Sequence, residues 1–288
     1  MVEAAEGVRL LLRASWQPGS REDRMALLIV HGLGGSDASS YVISTGQLAY
    51  ARGFHVIRMN MRGSGAGEAL SPLLGNAGLD GDLLAATRAL CRLVPRVATI
   101  GFSLGANLNL LMLGRRRELL PEGLKAAAAV SPPVDLAACA AALEARGNGV
   151  YQHYFMRMLI ETYRRRHASH PDLFAAGREL GLRTVREYDD RITAPLGGYA
   201  NAAEYYERSS AGPWLAAIDR PTLLLAAQDD PMIPHASIVR WPTSASLTRQ
   251  ILPTGGHVGF VARSHAPGWF WAAERALDFL ADAAETSR

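Results

Sequence analysis

The sequence has little cysteine and no long apolar run. Its 288 residues include two cysteines, Cys91 and Cys139, which lie far apart in apolar, helix-forming contexts. We therefore expect neither a disulfide framework nor a metal site, and this usage is typical of a reducing cytoplasm. No stretch approaches the roughly 18 apolar residues of a membrane span, and Glu3 and Glu6 stand where an export signal would be basic. These absences predict a cytoplasmic protein without a stable membrane anchor.

An excess of charge of one sign is also missing. The 30 basic and 27 acidic residues give a net charge of +3 and are spread along the chain. The one dense cluster, Arg164 to His167, has a helical pattern but no aromatic platform of the kind that nucleic-acid binding uses. We interpret it as a solvated helix face and expect no nucleic-acid partner. With 49% hydrophobic residues, the chain can bury a large core, which favours a single domain over residues 1–288.

Short apolar runs separated by helical or glycine-rich segments predict the fold class. Such runs are typical of strands covered on both faces, and strand, helix and strand in sequence imply parallel pairing. We expect an α/β fold with a mostly parallel twisted sheet flanked by helices, closed by an amphipathic helix over Trp269–Ala283. Asp80 and Asp82 precede the helical stretch Leu83–Leu93, and we interpret them as amino-terminal caps without chemistry. The predicted strands are 8–16, 25–30, 55–60, 97–102, 125–130, 221–227 and 248–253.

The pattern changes between about residues 134 and 213. This segment has helical periodicity, many arginines and tyrosines, and no convincing strand, so we predict an inserted helical cap. Within it, the stretch Tyr188 to Arg191 and the pair Tyr205-Tyr206 are candidates for contact with substrate. We interpret them instead as contacts that pin the cap to the core, because loop carboxylates beside arginine usually serve structure. A set of apolar side chains at helical spacing fits either the roof of a pocket or the core. Its members are Tyr151, Tyr154, Phe155, Met156, Met158 and Leu159.

The strand 97–102 runs directly into the motif G-x-S-x-G around Ser103. Helical character resumes at once, which predicts a sharp turn with the serine at the carboxyl end of a strand and near the amino end of a helix. Glycine is required at Gly101 and Gly105 because a side chain there would collide with the neighbouring strand or helix. The pentapeptide also fits a plain strand end, but this setting makes Ser103 a candidate nucleophile.

Later segments supply candidate partners for this serine. Asp229 and Asp230 follow the strand 221–227, and His257 follows the next strand. Nucleophile, acid and histidine in this order are typical of an α/β-hydrolase. An imidazole takes the proton of the serine hydroxyl, and a carboxylate holds the imidazole in the required tautomer. The spacing alone leaves open which of the two adjacent aspartates is the acid.

The glycine-rich segment His31–Ser36 follows the strand 25–30 and can aim backbone N–H groups at a ligand. We predict that the amides of Leu33 and Leu104 form an oxyanion hole. A phosphate-binding loop is disfavoured, because neither Gly-Lys-Ser/Thr nor G-x-G-x-x-G is present. We accordingly expect no cofactor and no metal.

Six segments resemble those of the YheT family of predicted hydrolases, which is similar to the eukaryotic α/β-hydrolase-domain esterases and lipases that act on acylglycerols and phospholipids. They are HGLGGS (31–36), NMRGSG (60–65), GFSLGAN (101–107), YDDRITAPLGGY (188–199), AQDDPMIP (227–234) and GGHVGF (255–260). The resemblance spans about residues 26–280. It implies the α/β-hydrolase fold, an esterase activity, and a triad of Ser103, His257 and Asp230.

The sequence departs from the family pattern at three places. Ala106 stands where the family usually has glycine, Leu111 where it has lysine, and Leu74 to Asn76 where it has a loop bearing tyrosine or histidine. These departures bear on substrate preference more than on the triad.

Together these patterns predict a serine hydrolase that acts through an acyl-enzyme on small-molecule carboxylic esters of short to medium acyl chain, acylglycerol-like esters among them. We expect uncharged monoesters to be preferred over charged substrates. Acyl transfer, amide hydrolysis and cofactor-free haloperoxidation are compatible with the same triad. A non-catalytic ligand-binding protein on a hydrolase scaffold is an alternative from a different class, because the fold does not fix the function.

Overall fold

A seven-stranded sheet forms the centre of the molecule in the computed structural model, which describes residues 1–262 and 270–286. The spatial order of its strands is β3-β5-β4-β6-β7-β8-β9, with β3 antiparallel to β5 and the other pairs parallel. The strands are β1 (Val2–Ala5), β2 (Val8–Leu10), β3 (Leu12–Ser15), β4 (Ala26–Val30), β5 (His55–Met59), β6 (Val97–Phe102), β7 (Leu124–Val130), β8 (Thr222–Ala227) and β9 (Leu247–Leu252).

Helices flank the sheet, so the predicted fold class is confirmed. They are α1 (Ser40–Ala51), α2 (Asp80–Cys91), α3 (Leu104–Arg115), α4 (Leu136–Glu144), α5 (Gly149–Ser169), α6 (Val185–Tyr188), α7 (Ala194–Leu196), α8 (Ala202–Ser209), α9 (His235–Val239) and α10 (Trp271–Thr286). Short 3₁₀ helices cover Gly65–Leu70, Arg117–Leu119 and Gly212–Ala217, and a π-helical turn covers Asp189–Thr193. The predicted closing helix begins at Trp271; Trp269 lies outside the described residues.

The strand β4 is apolar throughout because both of its faces are covered. Leu28 and Val30 pack in one hydrophobic cluster with residues of α2 and α3. Leu27 and Ile29 point to the other face and pack with residues of α1 and α10. Successive side chains of a strand point to opposite faces, so a helix layer on each face requires an unbroken apolar run. This burial fixes the carboxyl ends of the central strands, where the candidate site lies.

The first predicted strand, 8–16, is wrong in detail, because the chain changes partner after Leu10. β2 pairs with β1 in a separate two-stranded sheet, whereas β3 joins the edge of the main sheet beside β5. A local alternation of apolar residues indicates strand conformation but carries no information about which strand lies alongside.

Asp80 and Asp82 lie in the first turn of α2 but do not cap it, so their interpretation as caps is wrong. The fully buried Asp80 carboxylate accepts hydrogen bonds from Arg115 and from Arg116, the latter at 2.7 Å. Asp82 forms a bidentate pair with Arg62 at 2.6 and 2.9 Å. The partners lie 20 or more positions away, so a local capping pattern cannot reveal them. These pairs join α2 to the end of α3 and to the loop after β5.

The segment between β7 and β8 is helical in the described residues. One hydrophobic cluster has all its buried members within the segment, whereas a second also includes Ala77. Of the predicted pinning contacts, Tyr205 reaches outside the segment, since its hydroxyl accepts from the Ala77 amide at 2.9 Å. Asp189 and Asp190 instead bind within the segment, to the Tyr206 hydroxyl and the Ala202 amide.

The cluster Arg164 to His167 is not a uniformly solvated face. Arg164 and Arg165 are exposed, but Arg166 is 1% exposed and its Nε and Nη2 atoms have no hydrogen-bond partner among the described residues. Helical periodicity turns Arg166 inward, where its guanidinium lies against Gly63 and a Cβ at that glycine would leave too little room. Burial lowers its pKa below the usual value.

We predict that Asp80→Asn destabilises the protein by about 2 kcal/mol, because two partly exposed guanidinium groups lose a buried countercharge. Asp219→Asn is the control: Asp219 also pairs with two arginines, but its side chain is 36% exposed, and we expect a loss below about 0.5 kcal/mol. Urea unfolding of both variants measures the difference. Equal, small losses would contradict a structural role for the buried pairs.

Candidate active site

Ser103 lies at the turn between β6 and α3 in a left-handed conformation, with φ 50° and ψ −117°. The turn is tight enough to require both flanking glycines. A Cβ on Gly101 would overlap the backbone of Gly105, and a Cβ on Gly105 would overlap the carbonyls of Val30 and His31. The collisions inferred from the sequence are therefore present, and the turn holds the Ser103 hydroxyl at the carboxyl end of the sheet.

Ser103, His257 and Asp230 lie together in a hydrogen-bonded chain. The Ser103 hydroxyl donates to His257 Nε2 at 2.9 Å, and His257 Nδ1 donates to Asp230 Oδ2 at 2.8 Å. Asp230 Oδ1 accepts from the amides of Met232 and Ile233 at 2.9 and 3.1 Å, which fixes the carboxylate. The side chains of Asp230 and His257 are 2% and 15% exposed. This arrangement can pass a proton from the hydroxyl to the imidazole while the carboxylate holds its tautomer.

Asp229 points away from His257. Its Oδ1 atom accepts from the amides of Gly255 and Gly256 at 2.9 and 2.8 Å, in the loop that carries His257. The two adjacent carboxylates therefore have different partners: one binds the imidazole, and the other binds the backbone that presents it. The sequence could not separate them, because the difference is one of side-chain direction.

The loop that carries His257 is strained. Val258 and Phe260 have φ of 66° and 39°, values that non-glycine residues rarely adopt. The Val258 amide donates to the hydroxyl of Ser131, which is itself buried with φ 50° after β7. Strain of this kind persists only where surrounding contacts enforce it. The role of Ser131 could not be predicted from the sequence, since nothing local to β7 identifies it as the anchor of a distant loop.

The predicted oxyanion donors are backbone amides beside Ser103. Gly32 N donates to the Tyr41 hydroxyl at 2.8 Å, and Gly35 N donates to the Gly32 carbonyl at 3.1 Å. Among the described residues, the amides of Leu33 and Leu104 have no protein acceptor, and both residues line the same cavity as Ser103. Two such amides near a nucleophile can bind the negative oxygen of a tetrahedral intermediate.

His31 fixes the loop that contains Leu33. Its Nδ1 donates to the Gly32 carbonyl at 2.7 Å, and its Nε2 accepts from the Met61 amide at 3.1 Å. Burial lowers the pKa of His31 to about 4, so the ring is neutral at neutral pH, as an acceptor Nε2 requires. Sequence reasoning assigned His31 to the glycine-rich segment without a role. It binds the loop after β4 to the end of β5.

A cavity of about 290 Å³ opens over Ser103 and His257, between the sheet and the helical segment. Of the apolar set at helical spacing, Phe155, Met158 and Leu159 line it, and the Met158 thioether lies directly against Gly34. Met156 packs in the helical segment's own core instead. Tyr151 and Tyr154 are exposed. The sequence did not show whether these side chains line a pocket or pack in the core, and the set contains side chains of both kinds.

Cys139 also lines the cavity but is a poor rival nucleophile. Burial and the nearby carboxylates of Asp135 and Asp230 raise its pKa far above the usual value, so the reactive thiolate is disfavoured. Neither cysteine forms a disulfide.

Metal ligands and membrane-spanning helices are absent from residues 1–262 and 270–286. In these residues, no three His, Cys, Asp or Glu side chains are grouped as a metal site would require. None of the helices there is long and apolar enough to cross a bilayer.

The parallel sheet and the serine turn after its central strand have the architecture of an α/β-hydrolase, and comparison of sequences agrees. A profile of the α/β-hydrolase fold family matches residues 26–263. The predicted esterase YheT of Escherichia coli strain K12 is 32% identical over 97% of this chain and 83% of its own length. The monoacylglycerol lipase of Saccharomyces cerevisiae is 32% identical over 91% of this chain and 60% of its own.

Solved structures show the same fold. The esterase Est1E of Butyrivibrio proteoclasticus, with ferulic acid bound, matches over 97% of both chains with a TM-score of 0.61 and 14% identity. The chain belongs to the α/β-hydrolase fold family and, within it, to the YheT family.

We predict that Asp230→Asn lowers kcat for an ester by roughly 10³ to 10⁴, because an amide cannot hold the imidazole tautomer. Asp229→Asn should stay within about tenfold, since the amide oxygen still accepts from Gly255 and Gly256. Steady-state kinetics on both purified variants, with melting curves as the folding control, make the comparison. A larger loss at Asp229 would reverse the assignment.

Proposed function

We propose that this protein is a serine hydrolase that cleaves carboxylic esters through an acyl-enzyme formed on Ser103. The observation that carries the proposal is the hydrogen-bonded chain from Ser103 through His257 to Asp230 at the floor of the cavity. The relatives named as esterases, lipases and phospholipases support the same enzyme class, carboxylic ester hydrolase.

In the first step, Ser103 Oγ attacks the ester carbonyl while its proton moves to His257 Nε2. Asp230 keeps the Nδ1 proton in place and stabilises the imidazolium. The carbonyl oxygen becomes negative, and the amides of Leu33 and Leu104 donate to it. Their lack of protein acceptors in the described part of the chain supports this role, because a preorganised donor needs no rearrangement when the charge develops.

The tetrahedral intermediate then collapses. The bond to the alcohol oxygen breaks, His257 Nε2 returns its proton to that oxygen, and the alcohol leaves an acyl group on Ser103. Water then cleaves the acyl-enzyme by the same two steps. His257 takes a proton from the water as the water oxygen attacks the acyl carbon. The bond to Ser103 Oγ then breaks, the carboxylic acid leaves, and His257 returns the proton to Ser103. The cycle balances without a cofactor.

The substrate we propose is a small ester with a short to medium acyl chain. We treat the inserted segment, about 134–213, as a cap of the single domain. Its apolar side chains Phe155, Met158 and Leu159 support an acyl pocket above Ser103. Ligands of such sheets bind at the carboxyl ends of the strands, beneath whatever covers them.

We predict that Ser103→Ala leaves the fold intact and lowers ester turnover by a factor on the order of 10⁴ or more. The measurement is kcat on a nitrophenyl ester, together with a melting curve that separates lost chemistry from lost folding. Turnover that survives in a folded variant would refute Ser103 as the nucleophile.

Acyl chain length provides a test of the cavity. We expect kcat/KM to be highest for butyryl or octanoyl esters of one alcohol and lower for the palmitoyl ester, because a cavity of about 290 Å³ lies at the lower end of the usual volumes of ligand pockets. Acetyl, butyryl, octanoyl and palmitoyl esters are compared with a peptide amide. A flat series, or a preference for the amide, would contradict the proposed substrate class.

A further inference from the structure

Asp189 lines the same cavity as Ser103 and His257 and has no part in the reaction proposed above. It begins the π-helical turn Asp189–Thr193, and Thr193 lines the cavity as well. π-helical turns are rare and frequently mark functional sites.

Hydroxyl groups, not cations, surround Asp189. The Tyr206 hydroxyl donates to Asp189 Oδ2 at 2.8 Å, and the Thr193 hydroxyl also hydrogen-bonds the carboxyl group. Arg186 acts on Asp189 through its charge, but it is itself paired with Glu144 at 3.1 Å. Hydroxyl partners leave lone pairs of a carboxylate free for a ligand's donor.

Asp189 also differs from the other carboxylates and arginines that line the cavity. Each of those has an ion-pair partner: Arg62 with Asp82, Arg165 with Glu68, and Glu161 with Arg157. Asp189 forms no ion pair among the described residues. A half-buried carboxylate without a cation costs folding free energy, and groups of this kind cluster at functional sites.

The charge of Asp189 changes within an accessible pH range. Burial raises its pKa to about 6, although the Tyr206 hydrogen bond and the Arg186 charge oppose the shift. Tyr188, Tyr205 and Tyr206 face the same carboxyl group, and burial raises the pKa of each above its usual value, so they stay neutral. Between pH 5 and 8, Asp189 is therefore the member of this group that changes charge: neutral below about pH 6 and negative above it.

We propose that Asp189 is a specificity-determining residue that sets the charge preference of the cavity. Its carboxylate accepts from a hydroxyl or ammonium group of the substrate and disfavours an ester that carries an anion. The inference rests on the proposed ester hydrolysis. Like charges that face each other across a protein cavity repel more strongly than in bulk water, so an anionic ester is disfavoured.

Three nearly isosteric octanoyl esters test this preference: the 2-(trimethylammonio)ethyl, 3,3-dimethylbutyl and 2-sulfoethyl esters, which are cationic, neutral and anionic at every pH used. A second set carries the same groups at the far end of the acyl chain. The measured quantity is the ratio of kcat/KM values between esters at pH 5 to 8. The ratio compares two esters on the same enzyme at the same pH, so any loss of activity that is common to all esters cancels.

We expect the kcat/KM of the neutral ester, divided by that of the anionic ester, to rise at least about tenfold as the pH rises through 6. This rise is expected in one of the two sets of esters. Asp189→Asn should abolish that rise. Asp190→Asn is the matched control, because Asp190 is exposed, does not line the cavity and binds the Ala202 amide. It should leave the rise unchanged.

Ratios in the wild-type protein that stay flat with pH in both sets would overturn the proposal, whatever the variants do. A rise that persists in Asp189→Asn would also overturn it. If no ester is cleaved, the proposed hydrolysis fails separately. In that case, calorimetric titration between pH 5 and 8 measures the dissociation constants of octanesulfonate and octyltrimethylammonium. The proposal predicts that octanesulfonate binds more weakly, relative to octyltrimethylammonium, as the pH rises through 6, and that Asp189→Asn abolishes this change.

Discussion

The site depends on a single geometric constraint: one imidazole must reach a serine and a carboxylate that lie on different strand ends. His257 meets it with hydrogen bonds of 2.9 and 2.8 Å on its two nitrogen atoms. This geometry requires unfavourable left-handed backbone conformations at Ser103, Ser131 and Val258. Such conformations persist only where the surrounding structure is rigid. Two helix layers packed on the apolar sheet provide this rigid structure. This requirement explains why so much of the sequence forms buried strands.

The sheet could be predicted because its signal is local. A strand covered on both faces must be apolar at every position, and a glycine on each side of Ser103 is required by contacts within a few residues. The positions of Ser103, the pair Asp229-Asp230 and His257 followed from the same logic, since parallel strands end at one edge. Their catalytic roles stay predictions until activity is measured.

What the sequence did not reveal involves partners distant in the chain. Asp80 pairs with Arg115 and Arg116, and Ser131 anchors the Val258 amide, in each case across 20 or more residues of the chain. Arg166 likewise turns inward against Gly63, which is distant in the sequence. Asp229 and Asp230 are a different case, because neighbours of one type differ only in side-chain direction. In the helical segment, both distant partners and side-chain direction matter, since its apolar residues divide between its own core and the cavity.

Covalent labelling tests the central claim most directly. The intact protein is treated with a fluorophosphonate, which reacts with an activated serine, and the adduct is located by mass spectrometry of its peptides. The account predicts one adduct, on Ser103, that forms far more slowly in His257→Ala. An unlabelled Ser103 in the folded wild-type protein, or an adduct confined to another residue, would contradict it.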